Sequence, residues 1–208
     1  MELSDYPRTI RLGDGIELQV RPLRKSDLET LHRYFLRLTA EEVSRLKNDV
    51  TDLKVVENWI YDLDYDVTLP LVALDNGHIV GVVTLHFNTI GWTKHQGEIR
   101  FTVDPEYREI GVSTALIQNI IEIARSMGLE QITAEVAPTL NEAYFLCEKM
   151  GFKDAAVLKN FIKNQENNYE DMVLMIKDLN EVDSKAVWSP PIETFETDDC
   201  HSPFCDFV

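Results

Sequence analysis

The chain has 208 residues and 44% hydrophobic content, enough for one domain with a full core and appendages. Its net charge of −16 argues against nucleic acid and anionic membranes as partners and favours cationic ones, such as lysine-bearing proteins or polyamines. No apolar run reaches the length of a membrane span, the first residues lack a basic-then-apolar signal, and three cysteines in no spaced framework point to a reducing cytoplasm.

Residues 1–15 are polar and end in an Asp14-Gly15 turn. Ile16, Leu18 and Val20 alternate with polar residues and predict a strand, closed by Pro22. Ser26-Asp-Leu-Glu29 reads as a capping box opening a helix with Leu28, Leu31, Phe35 and Leu38, and Thr39-Ala-Glu-Glu42 reads as a second one. Residues 55–63 predict a third helix with Trp59 and Ile60 inward. Asp62, Asp64 and Asp66 read as a solvated loop, because a calcium loop would need a glycine and a terminal glutamate. Residues 69–74 and 78–87 predict strands joined by an Asn76-Gly77 hairpin turn. Residues 98–103 alternate again, and Asp104-Pro105 ends that strand. Apolar residues from Ile110 to Ala124 then follow helical spacing as far as Met127, and Gly128 is a C-cap. A strand over 131–136, a helix opened by Pro138 and Asn141 and running to Met150, and closing strands over 155–158 and 172–176 complete an α/β (α+β) domain over 1–179.

Residues 180–208 differ in composition. Seven carboxylates, among them Glu181, Asp183, Asp198 and Asp199, stand against Lys185 alone, with Pro190, Pro191 and Pro203 between them, which predicts an acidic extended tail. Trp188, Phe195, Phe204 and Phe207 offer a way to dock it on the domain or on a second copy of the chain, as in a homodimer. Cys200, His201 and Cys205 fit no zinc spacing, and no metal is expected.

The stretch that organises the chemistry is the turn from Val103 into the helix. Gly111 and Ser113 are small and stand where unpaired helical amides would face an anion, and Arg108 adds a full positive charge. Such a turn suits a phosphate or pyrophosphate. Arg108-Glu-Ile-Gly111-Val-Ser113 resembles the acetyl-CoA pyrophosphate loop of the GNAT acetyltransferases, Gln/Arg-x-x-Gly-x-Gly/Ala, with Ser113 departing from the last small position. The element order is also similar to theirs, which implies a mixed, splayed β-sheet flanked by helices. The resemblance covers roughly residues 6–179 and is greatest to the GNAT domain of bacterial Pat-type protein lysine acetyltransferases. It rests there on Asp14-Gly15 through Asp27, on Tyr34-Phe35-x-x-Leu38-Thr39, and on Glu98 standing ten residues before Arg108.

The resemblance implies acetyl-CoA as co-substrate and direct transfer to a primary amine, a protein lysine, with Glu98 as general base. A half-buried carboxylate on a central strand would have a raised pKa, as a base requires, and a solvated strand-end glutamate is the bland alternative. His86 and His95 are alternative bases. Many GNAT enzymes carry a tyrosine acid where this chain has Cys147, within Leu146-Cys147-Glu-Lys-Met-Gly151-Phe152. Tyr144, one helical turn earlier, could serve instead, and Cys147 is either a thiol donor or a buried core residue. The resemblance assigns the cofactor to Val103, Arg108, Ile110, Gly111, Val112, Ser113 and Thr114. Asn141 is either its contact to the cofactor arm or the N-cap of its helix. A small-amine acetyltransferase and a non-catalytic acyl-CoA sensor remain the alternative readings.

Overall fold

A computed structural model describes residues 3, 5–12, 15–164 and 167–180. The tail and its cysteine–histidine cluster, and Asp14 of the first turn, lie outside the described residues. The elements run β1 (Arg8–Arg11), β2 (Glu17–Pro22), α1 (Leu28–Phe35), α2 (Ala40–Ser44), α3 (Leu53–Tyr61), β3 (Thr68–Asp75), β4 (His78–Phe87), β5 (Gln96–Val103), α4 (Val112–Ser126), β6 (Gln131–Val136), α5 (Asn141–Lys149), β7 (Lys153–Lys163) and β8 (Tyr169–Asp178). They form one eight-stranded sheet in the order β1-β2-β3-β4-β5-β6-β8-β7. Neighbours are antiparallel except for β5 and β6, which run parallel. This is the mixed sheet that the family resemblance implies.

Local chemistry explains most elements. Asn76 and Gly77 both take positive φ (48° and 84°), as a two-residue hairpin turn between β3 and β4 requires. Both strands are buried on both faces, so their apolar runs are nearly continuous. Helix α4 buries Leu116, Ile117, Ile120, Ile121 and Ala124 on the sheet. Full burial of each large aliphatic side chain contributes about 1.5–3 kcal/mol. The helix sits close because β4 presents Gly81 beneath its first turn. A Cβ there would come within 2.9 Å of the Leu116 side chain and 3.0 Å of Val112.

Three expectations are corrected. Residues 8–11, within the stretch read only as polar and given no element, form the edge strand β1, paired with β2. The first helix is not opened by Ser26. A 3-10 turn over Lys25–Asp27 precedes it, and the Asp27 carboxylate accepts from the Arg24 amide (2.7 Å) and from both terminal nitrogens of Arg21 (2.6 and 2.9 Å). Trp59 is 40% exposed, whereas Ile60 is buried as expected. The Thr39–Glu42 capping box forms as read.

Two apolar layers cover the sheet. One lies under α4 and α5 and includes Ile99, Ala134, Cys147 and Met175. The other lies under α1 and α3 and includes Val72, Val82, Tyr34 and Ile60. Residues paired across strands share a face. Ile99 pairs with Ala134, on the α4 side. Glu98 pairs with Thr133 on the opposite side, where Tyr34 of α1 donates to Thr102 (2.7 Å) two alternations further along β5.

Candidate active site

The site begins where the sheet comes apart. β5 stays paired with β4 as far as Val103, but its pairing with β6 stops at Ile99↔Ala134. Residues 100–103 of β5 therefore diverge from Glu135 and Val136 of β6, which remain paired with β8. The gap is a V-shaped opening in the sheet, lined on the β5 side by backbone groups with no ladder partner.

The loop after β5 completes one side of this opening. Asp104, 2% exposed, accepts from the Glu106 amide and from Arg37, which also donates to Ile79 O (2.6 Å). These bonds tie α1 to the loop. Glu109 (φ 61°) and Gly111 (φ 98°) are both left-handed. A Cβ on Gly111 would meet nothing nearer than Leu12 at 3.8 Å, so conformation rather than space demands glycine. The first bond of α4 is Ala115 N–H to Gly111 O at 3.0 Å. The amides of Val112, Ser113 and Thr114 thus precede the helical ladder, at the positive end of the dipole. This backbone, with the free β5 edge ending at Val103 and with Ile110 between the two left-handed residues, fits a pantetheine arm and its pyrophosphate. Arg108 is nearby, but its guanidinium is held by Glu42 of α2.

The other side of the opening carries the charges. Lys47, just beyond α2, places Nζ 3.3 Å from Glu98 Oε1 and 2.8 Å from Glu135 Oε2. It thereby bridges β5 and β6 where their pairing ends. Arg100 Nε also donates to Glu98 Oε1 (2.7 Å). Burial pushes the Glu98 carboxyl upward, but Arg100 and Lys47 together outweigh it and hold the group below the usual carboxylate range. The raised pKa expected from burial alone is therefore corrected, because burial came with two cations. His86 pairs across β4–β5 with Glu98. Burial and the Arg100 charge lower its pKa, which favours the neutral ring. His86, Glu98, Gly97 and Thr133 line an open cavity of about 400 Å³. His95 instead uses its carbonyl to accept from Glu130 and Gln131 amides. Further along the same face, Glu170 lies 3.6 Å from Arg45 and accepts from Thr139 (2.7 Å) and Asn164 (3.0 Å).

The remaining candidates lie elsewhere. Tyr144 donates its hydroxyl to Asp154 (2.9 Å), which pushes its pKa up to about 12. Asp154 pairs with Met175 on the α4 face, so Tyr144 and Glu98 sit on opposite faces of the sheet. Cys147 is fully buried, and burial alone pushes its thiol up to about 12. That is the environment of a core residue, not of a thiolate. Asn141 is exposed and is the first helical residue of α5. Leu140 holds the N-cap position, so the capping role read for Asn141 is corrected. Among the described residues no group of His, Cys, Asp and Glu could hold a metal ion. None of their helices is long and apolar enough to cross a membrane.

A parallel strand pair that opens beside a glycine-started helix is shared with known proteins. Residues 31–152 match the model of the acetyltransferase (GNAT) family. The chain belongs to that family. GNAT acetyltransferases use acetyl-CoA as co-substrate, and the backbone just described fits it. An acetyltransferase of Pseudomonas aeruginosa is 25% identical over 145 residues, covering 68% of this chain and 77% of that one. The ribosomal protein bS18 alanine N-acetyltransferase of Escherichia coli K12 is 29% identical over 73 residues, 35% of this chain and 49% of its own length. The GNAT domain of S. lividans Pat shares the fold, with a TM-score of 0.70 at 20% identity over 86% of this chain and 99% of that one. So does a Salmonella typhimurium protein solved with its cofactor acetyl-CoA, with a TM-score of 0.69 at 17% identity over 82% and 99%.

Lys47 and Glu135 were not singled out from the sequence, and Glu42 was read only as the end of a capping box. Glu135 had a signal in principle, since it follows Thr133 by one alternation on a strand next to Glu98. Lys47 had none, because it lies 51 residues from Glu98 in an irregular segment.

Proposed function

We propose that this GNAT enzyme transfers the acetyl group of acetyl-CoA directly to a protein lysine, in a ternary complex, with Glu98 as general base. The observation that carries this reading is the Glu98–Lys47–Glu135 arrangement. Two carboxylates at the mouth of the strand opening hold a primary ammonium, and that ammonium is the protein's own. A substrate lysine has the same head group and a long apolar stem able to reach the same place. The strongly negative chain would draw such a substrate in.

The roles divide between backbone and side chains. Amides at the start of α4 orient the co-substrate's pyrophosphate, aided by Arg108 once it leaves Glu42. The free β5 edge orients the pantetheine arm. Glu98 receives the proton the amine must lose, directly or through water in the adjoining cavity, with His86 alongside as a neutral hydrogen-bonding group. Entry of the acceptor displaces Lys47 from Glu98. The acceptor's own ammonium then stands beside Glu98 and hands its proton to the carboxylate as the amine becomes nucleophilic. Tyr144 keeps its proton and points at Asp154, so it serves the hairpin of β7 and β8. Cys147 serves the core.

The acceptor test is a panel with acetyl-CoA: lysine peptides, a peptide with N-terminal alanine, and polyamines. The alanine peptide is included because the E. coli relative is named for an alanine amine. Turnover with lysine peptides well above the other two is the expected result. Preference for the alanine peptide or a polyamine would overturn the lysine assignment.

A further inference from the structure

We propose that Lys47 is itself an acetyl acceptor, modified by the same chain that carries it. The inference rests on the reading above, in which Glu98 activates an amine at the strand opening. Three observations lead to it. The Lys47 ammonium is in ion-pair contact with Glu98 at 3.3 Å, within the range from which a proton is handed over after a small adjustment. Its second carboxylate, Glu135, lies on the other strand of the opening, so Nζ is over the gap rather than to one side. The segment leading into Lys47 is also held to the rest of the molecule. Glu42 closes the Thr39 capping box and holds Arg108 of the cofactor loop, and Arg45 reaches Glu41 (2.8 Å) and Glu170. Lys47 is therefore delivered to the opening by a held backbone, while its side chain is 49% exposed and has room to move by the length of a bond or two.

The step balances with acetyl-CoA as the only co-reactant. Nζ loses a proton to the Glu98 carboxylate. Its lone pair forms a bond to the thioester carbonyl carbon, and the carbon–sulfur bond breaks. The sulfur leaves as a thiolate and takes up the second proton that the nitrogen sheds as the amide forms, giving the free thiol with no change of oxidation state. The resulting amide carries no charge, so both carboxylates lose their internal cation.

The test uses the full chain and acetyl-CoA without any added acceptor, followed by intact mass and peptide mapping at several protein concentrations. The expected result is one acetyl group, on Lys47, formed at a fractional rate independent of protein concentration. It should be absent in Lys47→Arg and slowed about 100-fold or more in Glu98→Gln. Calorimetry with acetyl-CoA and an added lysine peptide accompany each sample. Equal labelling of the exposed Lys54, a rate that grows with protein concentration, or unchanged labelling in Glu98→Gln would each overturn the proposal. Acetylation of the added peptide with Lys47 left unmodified would overturn it while leaving the proposed function standing. Binding of acetyl-CoA with no acetylation of peptide or Lys47 would overturn both.

Discussion

The two sides of the strand opening are built by different means. The cofactor side is backbone: a free strand edge, two left-handed residues, and the first amides of α4. Arg108, the cation of its helix-leading loop, is engaged elsewhere. The side proposed to take the acceptor is made of side chains, with Glu98, Arg100, Lys47, Glu135 and His86 drawn from four separate segments. Backbone sites recognise a shape common to every acyl-CoA and change little in energy with surface charge. Side-chain sites set which amine enters and at what pH. A GNAT domain can therefore keep its donor fixed while its acceptor is decided by a few ion pairs on the other face.

Substitutions on each side should separate along that line. Glu98→Gln should lower kcat about 10²–10⁴-fold and leave calorimetric affinity for acetyl-CoA unchanged. A parallel loss of affinity would mean that the two sides are not independent, and unchanged turnover would remove Glu98 from the role of general base. Asp27→Asn is a control under the acceptor face but away from the opening. Asp27 and Arg21 are each only 8% exposed, and removing one partner of such a pair costs about 3–5 kcal/mol, read by denaturant unfolding, with acetyl-CoA affinity of the folded protein unchanged. Burial raises the Asp27 pKa, but Arg21 and the Arg24 amide outweigh it and lower it overall. Its stabilising contribution is therefore complete above the ordinary aspartate pKa and disappears as pH falls through the lower folded value. Gly111→Glu strains a left-handed position and sets a carboxylate among amides meant for pyrophosphate. Together these should cost about 3 kcal/mol, near 100-fold in the Kd for acetyl-CoA.

The backbone side was readable in the sequence and the side-chain side largely was not. Gly111 could be read because Arg108-Glu-Ile-Gly111-Val-Ser113 resembles the family's pyrophosphate loop, and its left-handed φ agrees with a glycine at the start of the helix. Strands β4 and β6 emerged with their observed limits because apolar periodicity and the Asn76-Gly77 turn agree. The edge strand β1 was hidden, since Arg8-Thr-Ile-Arg11 is short, half polar and held by one neighbour. Glu98 was singled out by the family resemblance, which includes its standing ten residues before Arg108, but its environment was not legible. Arg100 could have been placed beside it by strand alternation, whereas Lys47 arrives through tertiary packing of a segment with no periodic signal. The sign of the Glu98 shift turned on those two cations. Tyr144 shows the same limit. Helical spacing put it near Cys147, but only the docked position of α5 reveals that its hydroxyl turns to Asp154, on the face away from Glu98.

The smallest expected effect probes the contact where the two sides meet. Glu42 belongs to the segment that delivers Lys47 to the acceptor face, and it holds Arg108 on the cofactor loop. Arg108 cannot give its full charge to a pyrophosphate while that pair persists. Both side chains are partly solvent-exposed (34% and 22%), so the pair is worth about 0.2–1 kcal/mol rather than several. Glu42→Gln keeps the size of the side chain and its amide can still serve the Thr39 cap, but it releases the guanidinium. Affinity for acetyl-CoA should then rise, by about two- to five-fold. Raising the salt concentration should shrink the difference between the two proteins, since the pair that was removed is screened. If Glu42→Gln instead weakens binding, the pair is holding Arg108 in place for the pyrophosphate rather than withholding it, and α2 then belongs to the cofactor side of the site as much as to the acceptor side.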